Sequence, residues 1–225
     1  MPKGTLDNIA PQKRERVLRE AALLFAEKGY AQTDMAQLAQ RAGISKGSIY
    51  TYFDSKDELF LYVCRDGLER SRNAVWGGLA EEADIHATLD HVFRRGLAFA
   101  REYPEYVTLY LAVGTAGMER FADELSRSVE KPTADALKEK LVAGIEAGTV
   151  RADLDVEHAA WLINNTYVML AAPLASRHFQ IRMTEYLGGD GTPSMPEMGR
   201  HLERTLRLLG EFLRPADDTG EGRER

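Results

Sequence analysis

The stretch "AGISKGSIYTYFDSKDELF" (42–60) carries one helix stop and two helix starts in quick succession. Gly43 can take the positive φ that closes a preceding helix. Ser45 caps a following helix of about eight residues. Asp54 or Ser55 caps the next, and Ser55 with Glu58 makes an S-x-x-E capping box. Two short helices around a tight turn, with a longer helix before them, form a helix-turn-helix pattern.

In the middle helix Ile49 and Phe53 share one face, about 40° apart. Ile44 joins them in a small core with Phe25 and Leu38. The opposite face carries Gly47 and Thr51, flanked by Ser48 and Tyr50, with Lys46 in the first turn. A helix meant only for water carries Glu, Lys and Gln instead. Gly47 alone costs roughly 1 kcal/mol against Ala. Close approach by another molecule accounts for that choice. The flanks suit phosphate: free N–H groups and the positive dipole end lie at Thr33, Ser45 and Ser55. Lys46 and Lys56 sit in first turns, where an external anion offsets an unfavourable charge. Tyr50 and Tyr52 offer O–H donors to phosphate oxygens. The plainer alternative is a three-helix packing unit with incidental Tyr and Lys.

Working outward, apolar residues at three- and four-residue steps predict an amphipathic helix over 11–28, with Pro11 in its first turn and Gly29 at its C-terminus. Thr33 reads as the N-cap of a second helix whose buried side is Met35, Leu38, Ala39 and Ala42. The fourth helix runs to Trp76, where Gly77-Gly78 stops it. Longer helices follow near 84–102, 104–116, 119–147, 155–187 and 196–213, and Pro173 kinks the fourth of these. The expected fold is all-α.

The chain has 225 residues and a formal net charge of −6. Residues 1–60 hold nine Lys/Arg and eight Asp/Glu, against 20 and 27 in the remainder. A polyanion contact is therefore better placed before residue 60. Cys64 is the single cysteine, so no intrachain disulfide forms, which fits a reducing cytoplasm. The N-terminus has no apolar signal region, and no apolar run of about 18 residues suggests a membrane span.

"TDMAQLAQRAGISKGSIYTYFDSKDELF" (33–60), preceded by "ALLFAEKGY" (22–30), resembles the DNA-binding signature of TetR-family transcription regulators. The resemblance covers about residues 12–62 and is dense and ordered; Tyr52 stands where the family varies around His. It implies a third helix inserted in the major groove of an operator. It also implies a DNA-contact set of Thr33, Ser45, Lys46, Ser48, Tyr50, Tyr52 and Lys56, to which the face reading adds Gly47 and Thr51 as the closest approaches. The expected organisation is a flexible arm (1–11), a DNA-binding domain (12–58), an effector-binding and dimerisation domain (59–214) and a disordered tail (215–225). A repressor released by a small hydrophobic effector is the function implied, with helix four as the lever; an activator remains the alternative.

In the larger half, Met198, Leu202, Leu206, Leu209 and Leu213 form a seam suited to helix–helix packing. Paired with the 155–187 helix it resembles the family's four-helix dimer interface; packing within one subunit is the alternative. Candidate pocket residues are Trp76, Phe93, Tyr106, Tyr110, Phe121, Trp161, Asn164, Asn165, Tyr167 and Val168. A buried Asn needs partners, which a ligand, a facing helix or a dimer mate supplies. "PEYVTLYLAVG", "GTVRADLD" and "SRHFQIRMTEYLG" resemble the fatty-acyl-CoA-responsive FadR-type branch, which implies an acyl chain in the apolar interior. An aromatic drug or flavonoid-like effector fits an apolar pocket equally well. Nucleophile-elbow, P-loop and dinucleotide motifs are missing, and the five histidines show no metal-ligand spacing, so no enzyme, cofactor or metal is expected. A helical scaffold that has lost DNA binding would be expected to lose the Ser45–Tyr50 pattern, which this chain retains.

Overall fold

A computed structural model describes residues 9–189 and 191–215. The predicted arm and tail fall mostly outside these residues. Among them run ten α-helices and no strand: α1 (Pro11–Gln32), α2 (Met35–Arg41), α3 (Lys46–Tyr52), α4 (Lys56–Trp76), α5 (Ile85–Glu102), α6 (Pro104–Val113), α7 (Glu119–Glu146), α8 (Val156–Ala171), α9 (Arg177–Leu187) and α10 (Met195–Leu213).

Local chemistry sets most of the boundaries. Gly29 takes φ 73° near the end of α1, and Gly43 takes φ 66° after α2; both angles disfavour a side chain. Asp34, not Thr33, caps α2: its carboxylate accepts the Ala36 N–H at 2.8 Å. The Thr33 hydroxyl instead donates back to the Gly29 carbonyl at 2.8 Å and is buried. Ser45 Oγ accepts the Ser48 N–H, and Ser55 Oγ accepts the Glu58 N–H, each at 3.1 Å. Ser55 is therefore the cap of α4, and Glu58 reaches back past it to accept the Asp54 N–H at 2.7 Å. The single helix expected over 155–187 is two helices joined by a 3₁₀ turn, Ala172–Leu174, because Pro173 has no N–H to continue the ladder.

Two apolar clusters form the core. The first joins Val17, Leu18, Phe25, Leu38, Ile49 and Phe53 to Leu59, Phe60 and Val63 on α4 and to Phe121 and Leu125 on α7. It therefore continues across the 58/59 boundary expected from the sequence. The second joins α5, the later part of α7, α8 and α10. Each large side chain buried here contributes about 1.5–3 kcal/mol. Helix α4 starts in the first cluster and ends in the second, at Val75.

The predicted seam on α10 turns inward. Met198, Leu202 and Leu213 are at most 4 % exposed, and Leu206 and Leu209 pack partly buried against the second cluster. Met198, Leu202 and Leu213 therefore follow the intrasubunit alternative: α10 uses them to close its own core. On α8 and α10 the large apolar side chains left exposed are Trp161, Leu162, Met169, Leu208 and Phe212.

Candidate nucleic-acid interface and effector cavity

Helices α2 and α3 are held against α1 by directed polar contacts. Arg41 bridges Glu20 at 2.9 Å and Glu27 at 2.6 Å, and Arg16 Nε donates to the Ala42 carbonyl in the turn at 2.8 Å. With Ile49 and Phe53 buried beneath it, α3 presents Ser45, Lys46, Gly47, Tyr50 and Thr51 outward, with Ser48 half-buried beside them. A Cβ added at Gly47 would meet only Ser45 Oγ, at 3.8 Å. Nothing inside the molecule requires glycine there. Thr51 is partly committed, donating to the Gly47 carbonyl at 3.0 Å.

Three of the expected contact residues face elsewhere. Thr33 is buried, as described. Tyr52 is 6 % exposed and lies in the first core, with Lys13 over its ring. Lys56 donates to the carbonyls of Ala31 and Thr33 at 3.0 and 3.1 Å, so its ammonium serves the C-terminal end of α1. Helix periodicity hid this for Lys56, because its acceptors come from another helix.

Beside Lys56 sits a junction that sequence reading missed. Tyr30 on α1 donates to the Asp57 carboxylate on α4, and Arg120 on α7 reaches the same carboxylate at 3.2 Å. Arg120 also lies over the rings of Tyr30 and Phe121. The Tyr30 hydrogen bond, then Arg120, holds the Asp57 carboxyl below its ordinary value against the opposing effect of burial. Burial and the bond to Asp57 push the Tyr30 phenol up.

Behind this junction α4, α5, α6, α7 and α8 enclose a cavity of about 470 Å³. That size falls in the ordinary range for small-molecule sites, about 300–1,000 Å³. Of the expected pocket residues, Trp76, Phe93, Tyr106, Tyr110, Asn164, Tyr167 and Val168 line it. Phe121 lies in the first core instead, Trp161 is 63 % exposed, and the exposed Asn165 donates to the Trp161 carbonyl on its own helix. Two glycines make room for the aromatic walls. A Cβ at Gly67 would stand 2.3 Å from the Tyr106 ring, and one at Gly96 would stand 2.2 Å from the Tyr167 ring.

Arg72 and Glu130 are the charged residues among those lining the cavity. Tyr110 donates to Glu130 Oε1 at 2.7 Å, and Asn164 donates to Oε2 at 3.2 Å. Burial first, then Glu130, pushes the Tyr110 phenol up, so it stays a donor. Burial pushes the Tyr167 phenol and the Cys64 thiol up, each to about 12, which leaves Cys64 an inert part of the wall. Glu130 lies beside the inward row Leu125, Val129, Thr133 and Leu137, and that four-residue step was the available signal.

The cavity wall is wired to α1. Tyr106 donates to Asp66 at 3.2 Å, Asp66 accepts from Arg70 at 2.6 Å, and Arg70 donates to Glu15 on α1 at 3.1 Å. No group of three or more candidate metal ligands occurs among the described residues, and no described helix is long and apolar enough to cross a membrane.

Residues 17–63 match the family model for bacterial regulatory proteins of the tetR family. The transcriptional repressor KstR2 of Rhodococcus jostii is 30% identical over 162 residues, covering 68% of this chain and 76% of that protein. The transcriptional regulator RutR of Escherichia coli K12 is 28% identical over 164 residues, covering 71% and 74%. The fold is also similar to that of FadR from Bacillus subtilis, solved with stearoyl-CoA. The TM-score there is 0.66 at 19% identity, covering 88% of this chain and 98% of that one.

Proposed function

The chain belongs to the TetR family of transcriptional regulators, and on that premise we propose that it is a cytoplasmic homodimeric repressor released from a palindromic operator by a small, largely apolar effector. The observation that carries the DNA half of this reading is Gly47. It lies on an exposed helix face, next to Tyr50 and Thr51, where no neighbour in the fold excludes a side chain. Helix α3 would lie in the major groove with this face toward the bases. Ser45, Lys46 and Ser48 would meet phosphates at its N-terminal end.

The effector would occupy the cavity between α4 and α8. FadR of Bacillus subtilis was solved with stearoyl-CoA, and a long acyl-CoA is one candidate here. Arg72, exposed on α4 while lining the cavity, is the residue available to an anionic group of such a ligand. Filling the cavity would move Tyr106, and with it the Asp66–Arg70–Glu15 chain. It would also press on α7, whose first turn holds the Tyr30–Asp57–Arg120 junction. Both routes end on α1 and α4, so the two α3 helices of a dimer would lose their half-site spacing. The ligand can shift operator affinity only as far as it prefers that second state.

The dimer would form on the stripe left exposed by α8 and α10, Trp161, Leu162, Met169, Leu208 and Phe212, rather than on the α10 seam. The test is selection of bound duplexes from a random DNA pool, followed by titration of the selected operator with and without hydrophobic extracts of the host. A palindromic site released by an extract component is expected. No enriched duplex, or an operator affinity that no extract alters, would sink the reading.

A further inference from the structure

Glu130 is a carboxyl set in the wall of an otherwise mainly apolar cavity. Tyr110 and Asn164 hold it, one on each oxygen, at 2.7 and 3.2 Å. These two partners fix its direction without saturating it. A carboxylate offers about four acceptor sites, so about two are left for a further partner. The neighbours add donors that are already spent on Glu130. The remaining charged group of the lining is Arg72, on α4 and exposed, whereas Glu130 is half-buried on α7.

We propose that the cavity selects an apolar effector bearing a hydrogen-bond donor, an ammonium, hydroxyl or amide N–H, and that the donor docks on Glu130. An apolar body alone would displace water from Glu130 without replacing its hydrogen bonds, which weakens binding. A free carboxylate placed there brings no donor to Glu130 and sets acceptor against acceptor. A fatty acid is thereby opposed, while an acyl thioester qualifies through the hydroxyl and amides of its carrier arm. This deepens the effector reading above and rests on it.

Three probes with the same ten-carbon chain separate the possibilities: decylamine, decan-1-ol and decanoate, each titrated calorimetrically into the full-length protein below its micelle concentration. The amine and the alcohol are expected to bind at least about tenfold more tightly than the acid, the scale of one hydrogen bond to a charged group. In Glu130→Gln the amine should weaken about tenfold or more and the acid should gain. Tyr110→Phe, which frees one carboxylate oxygen and keeps the ring, should preserve or widen the amine preference. Equal binding of all three probes, or a ranking unchanged in Glu130→Gln with both variants melting near wild type, overturns the head-group inference and leaves the effector reading standing. No binding by any probe overturns both. A ranked binding that never releases operator DNA supports the head-group inference and removes only the effector's regulatory role.

Discussion

A Cβ at Gly96 would stand 2.2 Å from Cε2 of Tyr167 and 2.4 Å from its hydroxyl oxygen. The Tyr167 ring already packs edge-on to Phe93 at 5.5 Å between centroids, so its escape is toward the cavity. Gly96→Ala should therefore destabilise the fold by about 1–3 kcal/mol through overpacking and weaken cavity ligands as well. Thermal melts and a ligand titration read the two effects separately; a variant with wild-type melting and wild-type affinity would place the ring elsewhere. Tyr50 poses the converse case. It is 45 % exposed on the α3 face and packs into nothing that its loss would collapse. Tyr50→Ala should cost about 1–3 kcal/mol of operator binding with no change in melting. Lys46→Ala should instead weaken binding evenly across sequences and reduce the salt dependence by about one ion. Fluorescence anisotropy at several salt concentrations distinguishes these outcomes.

At the scale of elements, the junction of α1, α4 and α7 has a pH signature. Asp57 is ionised in its contacts with Tyr30 and Arg120, and its folded pKa lies below the ordinary 3.8. A depressed carboxyl pKa adds stability that is complete above the unfolded value and is lost as pH falls through the folded one. Asp57→Asn should thus lower stability at neutral pH by at most about 1 kcal/mol, given how exposed the pair is. The gap to wild type should close below pH 3.8, over the range where Asp57 protonates. A gap constant with pH would assign the effect to helix capping or packing instead. The same junction shows what a sequence yields. Caps at Ser45 and Ser55 were local matters of one side chain and an N–H three residues on, and the starts of α3 and α4 were legible from such signals. Tyr30, Asp57 and Arg120 are far apart in sequence and meet only because three helices pack together. Thr33 was misjudged as a cap because Asp34, one residue later, competes for the same N–H groups and wins with a charged acceptor. Glu130 was not singled out from the sequence, although it lines the cavity, because α7 is polar over most of its length.

For the whole molecule, periodicity reports that a helix has an apolar partner but not which chain supplies it. That ambiguity is why Met198, Leu202 and Leu213 read as a dimer seam although they close the subunit's own core. Two variants separate the roles. Leu202 is 4 % exposed in the second core, so Leu202→Ala should cost about 2–5 kcal/mol of folding stability while leaving the oligomeric state alone. Trp161 and Phe212, at 63 % and 38 % exposed, contribute little to the monomer's own core. Their paired replacement by Asp should place charge on the proposed dimer face and give a monomer in sedimentation velocity. Each α3 would then meet one half-site at a time, without the raised effective concentration that a linked second head supplies. Operator affinity should fall by about 100-fold or more, although the α3 face is untouched and its binding to an isolated half-site is unchanged. A Trp161/Phe212 variant that still sediments as a dimer would move the interface off this stripe. One that is monomeric yet binds the full operator like wild type would show that the two heads act independently, and the half-site spacing mechanism would lose its basis.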